Sequence, residues 1–189
     1  MTPAEWNDRA AAFERRMLRW AFRQLGAVYI FGGKGNLAFD KVKGLRPWAV
    51  GELTAGRKAY DCSGLVLDGV REVTSLDFRG KWSAQTMHDA TREHEGRAVI
   101  HRTLRFYGAS RTAVTHIAIG EESRTPWETP ALVLEAAGAG RDAVDEKSGR
   151  AKGAEVRFVD DRRADLVGSV PLWALAVAMG ALPAPPAAP

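Results

Sequence analysis

The hydrophobic period of this chain changes about halfway along, and that change constrains the fold more than any other feature. Up to about residue 96 the apolar residues recur at helical spacing. In residues 3–25, Trp6, Phe13, Met17, Trp20 and Leu25 fall close to one face of a helix. Thr2, Pro3 and Glu5 stand where an N-cap, a first helical residue and a capping-box glutamate belong, and Gly26 is a stop signal. "YDCSGLVLDGVREV" reads as a second helix, capped by Asp61, with Leu65, Val66, Gly69, Val70 and Val73 facing inward. "SAQTMHDATREHEG" reads as a third helix or helical turn that closes at Gly96. Beyond it come "AVIHRTLRFYG", "AVTHIAIG", "ALVLEAAG", "AEVRFVD" and "LVGSVPLWAL", short β-prone runs separated by glycines and charged turns. Helices first and sequential strands afterwards predict an α+β domain whose sheet is mostly antiparallel.

Three stretches fall outside this pattern. "AVYIFGG" is a short apolar run closed by two glycines, a strand or an extended loop. Residues 34–58 keep no period and contain Gly35, Gly44, Gly51, Gly56 and Pro47, a long loop of the kind that often carries function. Residues 183–189, "PAPPAAP", read as a disordered or polyproline-like tail. The 189 residues suit one domain, residues 1–182.

The charge balance, 27 Lys plus Arg against 23 Asp plus Glu, leaves a net +4. That mild bias is compatible with an anionic partner or with simple solubility. The basic residues are scattered, and no nucleic-acid-binding module is recognisable. "MTPAEWNDRAAAFERRMLRW" is charged throughout and is not a secretory signal, so synthesis in the cytoplasm is expected. The apolar stretch Leu172 to Leu182 is too short to cross a bilayer, and no stable membrane insertion is expected.

Cys62 is the single cysteine, which excludes an internal disulfide framework and a cysteine-based zinc cluster. It is then either a buried structural thiol or a reactive one. Its place at the start of a helix favours the reactive thiol, because backbone N–H groups and the helix dipole stabilise a thiolate there. A nucleophile also needs a base and a group to orient that base. Of the four histidines, His88 and His94 lie in a polar helical stretch and read as solvated, and His101 is ambiguous. His116 stands on a strand, a rigid mount for a base, although a half-buried structural histidine would look the same. Glu135 interrupts the apolar run "LVLEAAG". It is either an edge-strand residue facing water or a buried carboxylate that needs a partner. An antiparallel pairing of 114–120 with 131–137 would allow it to sit across from His116, near one end.

"YDCSGLV" followed by "THIAIG" resembles the NlpC-type cysteine peptidases of bacterial cell-wall metabolism, which have a papain-like fold. "LGAVYIFGG" resembles their Gly-x-x-Tyr-x-x-Gly-Gly segment, and "SAQ" at 83–85 the stretch after the cysteine helix. The resemblance runs from about residue 18 to 172. It implies Cys62 as nucleophile, His116 as base and Glu135 as third residue, where many members have His, Asn or Gln. Tyr29 would help hold the substrate or the oxyanion, the Cys62 N–H would contribute to the oxyanion hole, and Asp61 and Ser63 would border the site. No metal and no cofactor are implied. The implied substrate is peptidoglycan, cleaved between γ-D-glutamate and diaminopimelate or lysine. A cell-wall amidase with the same residues and a non-enzymatic tail-assembly protein are the alternatives. Members of this size without a signal look like phage tail or lysis proteins, which implies phage tail partners and delivery to the wall by a virion or a holin. The departures are a link between Gly33 and Asp61 far longer than usual, making 34–60 an inserted segment, and Arg102-Thr103 in place of a Gly-Asp.

Overall fold

The computed structural model describes residues 1–35, 58–95, 102–120, 132–137, 155–160 and 163–186. Among them are four α-helices, α1 (Pro3–Phe22), α2 (Cys62–Thr74), α3 (Ala84–Thr91) and α4 (Leu172–Ala178). Eight strands form one sheet: β1 (Val28–Tyr29), β2 (Lys34–Gly35), β3 (Ala59–Tyr60), β4 (Thr103–Ser110), β5 (Ala113–Gly120), β6 (Leu132–Ala137), β7 (Glu155–Asp160) and β8 (Leu166–Pro171). Their order is β2-β3-β1-β7-β6-β5-β4-β8. Every pairing is antiparallel except β1 with β3. The expected α+β architecture, helices on a mostly antiparallel sheet, is the one observed.

The helix starts follow from local chemistry. Thr2 and Glu5 form the reciprocal capping box at α1. Asp61 caps α2, accepting from the Gly64 N–H, and Ser83 caps α3, accepting from the Thr86 N–H. α1 ends at Phe22, earlier than its apolar period suggested, so Leu25 lies beyond the helix and is exposed. α2 is buried almost all round. Leu65, Val66, Leu67 and Val70 have essentially no exposure, and each such side chain contributes roughly 1.5–3 kcal/mol of burial. On one side α2 meets Trp20 and Met17 of α1 at Gly69, where a Cβ would come within 3.0 Å of both. On the other it packs against β5 and β6. The main core therefore lies between the helices and the face carrying Leu104, Phe106, Ile117, Ile119 and Leu134. Tyr107, Ala118 and Val133 make a second small cluster. The chain ends meet where the Trp6 Nε1–H donates to the Pro183 carbonyl at 2.9 Å.

Two expectations are corrected. His88 and His94 are buried, not solvated. α3 and the 3-10 turn after it (Arg92–His94) pack under the sheet edge and α4, so their inward face needs flat, partly apolar side chains. The His88 ring meets Phe106 edge-on at 5.2 Å and its Nε2 is 3.2 Å from Glu95 Oε1, while the His94 ring meets Trp173 at 5.0 Å. The run "LVGSVPLWAL" is not all strand. It divides after Pro171, and the Ala- and Leu-rich remainder, good helix formers, becomes α4. His101, Gly96 and most of the 34–58 stretch lie outside the described residues; Lys34–Gly35 of that stretch forms β2, antiparallel to β3.

Candidate active site

Cys62 is the first residue of α2, and its position is set by the turn that precedes it. The Asp61 N–H donates to the Gly33 carbonyl at 2.9 Å. The Asp61 carboxylate accepts from the backbone N–H of Gly64 at 2.5 Å and of Gly32 at 3.1 Å. The first turn of α2 thus rests directly on the double-glycine turn. A Cβ on Gly64 would come 1.9 Å from the Gly33 carbonyl oxygen, so only glycine fits there. The thiol of Cys62 is half-buried and lies 3.9 Å from the Thr115 carbonyl oxygen.

β5 brings His116 to this point. Its start is held by Gln85 of α3, whose Oε1 accepts from the Val114 N–H at 2.7 Å and whose amide donates to the Arg111 carbonyl. His116 lines the same cleft as Cys62, and its Nε2 is 2.8 Å from Glu135 Oε2. Burial pulls the imidazole down, but hydrogen bonds and charge from Cys62 and Glu135 outweigh it and push the His116 pKa up to about 9. Burial pushes Glu135 up, and the His116 hydrogen bond with the charges of His116, Arg157 and Arg163 wins and holds it below the ordinary glutamate value. Both shifts favour an ion pair, imidazolium with carboxylate, beside a thiol.

Tyr29 stands on β1 across the cleft, its phenol pushed up to about 12 by burial and by the charges of Cys62 and Asp61. It stays a neutral O–H donor over the whole physiological range. The cleft holds about 510 Å³ and is walled by Tyr29, Phe31, Lys34, Cys62, Trp82 and His116. Ser63 lines it as well, its hydroxyl 2.9 Å from Asp61 Oδ1. All six residues singled out in the sequence, Cys62, His116, Glu135, Tyr29, Asp61 and Ser63, are therefore at or directly behind one cleft. Among the described residues there is no cluster of His, Cys, Asp and Glu that could hold a metal ion.

Sequence reasoning missed Lys34. Its ammonium is 2.7 Å and 2.8 Å from the two Asp61 carboxylate oxygens and donates to the Ser63 hydroxyl as well. It missed Tyr107, which pairs with His116 across β4–β5 and sets its ring 5.7 Å from the imidazole. A lysine after two glycines looks like a solvated turn residue, and a strand tyrosine looks like core, so neither gave a signal.

With this geometry in hand, the solved structures similar to this chain decide the fold. One is the peptidoglycan hydrolase RipB from Mycobacterium tuberculosis: TM-score 0.56, 19% identity, 87% of this chain and 67% of that one covered. Another is the P60 domain of an antigen from M. avium subspecies paratuberculosis: TM-score 0.51, 20% identity, 86% and 96% covered. A third is the resuscitation promoting factor interacting protein RipA: TM-score 0.52, 18% identity, 86% and 62% covered. The chain has the NlpC/p60 fold. No protein-family model matches the chain, and no curated protein matches it in sequence. The NlpC/p60 fold is papain-like.

Proposed function

We propose that this protein is a cysteine peptidase that hydrolyses the peptide stems of peptidoglycan. The observation that carries the reading is the arrangement of Cys62 at a helix start, His116 beside its thiol and Glu135 bound to the far side of the imidazole, in an open cleft. The Cys62 thiolate attacks the scissile carbonyl carbon, and the oxyanion forms near the Cys62 N–H and the Tyr29 hydroxyl. The His116 imidazolium gives its proton to the leaving amine as the C–N bond breaks. Water then attacks the thioester, His116 takes up the water proton, and the carboxylate product leaves with the thiolate restored. Glu135 stabilises the imidazolium and fixes the ring.

The wall substrate is supported by the likeness to RipB, itself a peptidoglycan hydrolase. The bond between γ-D-glutamate and diaminopimelate or lysine, and delivery by a virion or holin, rest on the motif resemblance alone. Digestion of purified peptidoglycan by the wild type and by Cys62→Ala, with fragments identified by mass spectrometry, tests the reading. Fragments from the wild type alone support it, and their masses tell a stem-peptide cut from an amidase cut. No release by either protein from walls of several chemotypes would remove it.

A further inference from the structure

Cys62 has an anion as its chain neighbour. Asp61 is buried, and its carboxylate caps the helix whose first residue is Cys62. A carboxylate so close to a thiolate disfavours it by like-charge repulsion, and the low-dielectric wall of a cleft strengthens that effect. The same helix start favours the thiolate. Which of the two wins depends on whether the carboxylate is left uncompensated.

Lys34 compensates it. The residue comes from β2, directly after the Gly32-Gly33 turn, and is paired across the sheet with Tyr60. Its side chain is 15% exposed and lies in the cleft wall. The ammonium contacts both oxygens of Asp61 and the Ser63 hydroxyl, and Ser63 in turn reaches Asp61 Oδ1. With the N–H groups of Gly32 and Gly64 added, the carboxylate is surrounded by four donor groups. The other groups around the thiol are accounted for. His116 from β5 faces it, with Glu135 from β6 behind, and Tyr29 from β1 is a neutral phenol. Lys81, in the turn before α3, lines the same cleft.

We propose that Lys34 is a positioning residue for the nucleophile: it holds Asp61 as the cap of α2 and cancels that carboxylate's charge beside the Cys62 thiolate. This deepens the peptidase reading and rests on Cys62 being its reactive thiol, but it concerns the thiol and not the substrate. It therefore has a test that needs no peptidoglycan.

The test is the rate of Cys62 alkylation by iodoacetamide as a function of pH, on the folded full chain. Lys34→Met should move the rise of the alkylation profile to higher pH and slow the reaction at neutral pH by about three- to tenfold, half to one pH unit of charge repulsion. Lys34→Arg should restore the wild-type profile, since a guanidinium can bridge the same carboxylate. Asp61→Asn retains an N-capping oxygen and leaves Lys34 uncompensated, so it should move the profile the other way. Lys34→Met combined with Asp61→Asn should bring it back toward wild type. That last result separates charge cancellation from scaffolding, because a lost structural contact would make the double variant the worst of the set. A Lys34→Met profile that coincides with wild type, or a double variant at least as shifted as Lys34→Met, overturns the proposal. If Lys34→Met does not fold, Asp61→Asn decides alone: an unmoved or upward-moved profile overturns it. Absence of wall digestion with the expected alkylation pattern would discard the substrate and leave this inference standing.

Discussion

His116 Nε2 and Glu135 Oε2 are 2.8 Å apart, although the two residues are not directly opposite one another in the sheet. β5 and β6 pair Ile119 with Leu134 and Gly120 with Val133. Carried one step further, that register sets Glu135 opposite Ala118, and His116 is its diagonal neighbour. The small Ala118 side chain leaves the carboxylate room to lean along the strand to the imidazole, a diagonal reach that long side chains make easily. Arg157, Glu135's partner on β7, approaches its other oxygen at 3.6 Å. The glutamate is thus held between a histidine and an arginine, which removes most of the cost of its burial.

Glu135→Gln keeps an oxygen for the imidazole and removes the charge. His116 then loses one of the two partners that raise it to about 9. We expect the alkaline limb of kcat/KM to move down by about one to two pH units, measured on any hydrolysed wall fragment. The sign for stability follows from the same shifts. The raised His116 stabilises the fold fully below its unfolded pKa near 6.5, and that contribution fades as pH rises through about 9. Glu135 is lowered, so its contribution is present above its ordinary value of 4.5 and is lost as pH falls through its folded value. Glu135→Gln should therefore lower Tm most between those limits, near pH 6, and least at strongly acid or alkaline pH. An unmoved alkaline limb would show that Glu135 does not govern His116.

Tyr29→Phe tests the hydroxyl across the cleft. The phenol is pushed up to about 12, so it donates unchanged through the working pH range. If it donates to the oxyanion, its loss should lower kcat on the order of a hundredfold with KM nearly constant. A rise in KM at constant kcat would assign it to substrate holding instead.

Gly64→Ala adds a methyl where 1.9 Å separates the ideal Cβ from the Gly33 carbonyl oxygen. The opposing atom is backbone and cannot swing aside, so the first turn of α2 must move away from the glycine turn. We expect a loss of about 1–3 kcal/mol in denaturant unfolding, the usual cost of overpacking. Activity should fall further than stability explains, because the displaced turn carries Cys62.

The helix starts and the cysteine motif were legible in the sequence because they are local. Thr2 and Asp61 cap with side chains that act within three residues, so spacing alone reveals them. The β-prone runs "THIAIG" and "LVLEAA" mark two strands but leave their register open. What the sequence concealed depends on distant partners. His88 and His94 look polar by composition, and only the packing of α3 beneath Phe106 and Trp173 turns them inward. Lys34 gains its meaning from Asp61, 27 residues on. The helix after Pro171 was hidden because an unbroken apolar run reads equally as a buried strand.

Asp68 gives the last test, at a carboxylate outside the cleft. It is fully buried on α2, yet three cations and a phenol converge on it. Arg71 Nε lies at 2.9 Å, Arg79 Nη1 at 3.1 Å, Lys58 Nζ at 3.3 Å and the Tyr60 hydroxyl at 3.0 Å. Lys58 and Tyr60 lie at β3, and Arg79 also donates to the Lys34 carbonyl, so this one carboxylate ties α2 to the strands around Cys62. Asp68→Ala leaves the Arg79 guanidinium, whose side chain is 8% exposed, with the exposed Asp77, 2.6 Å away, as its remaining counter-charge. Because Asp77 stays, the loss should fall below the about 3–5 kcal/mol of a buried pair broken outright, and the variant should still unfold at lower denaturant than wild type. Asp68→Asn retains the hydrogen-bonding shape and should fall between the two. Because the network is buried, added salt should recover little of the loss, whereas a surface pair would be screened at 1 M. An Asp68→Ala protein as stable as wild type would mean that the cations are satisfied by solvent and that Asp68 does not anchor the helix.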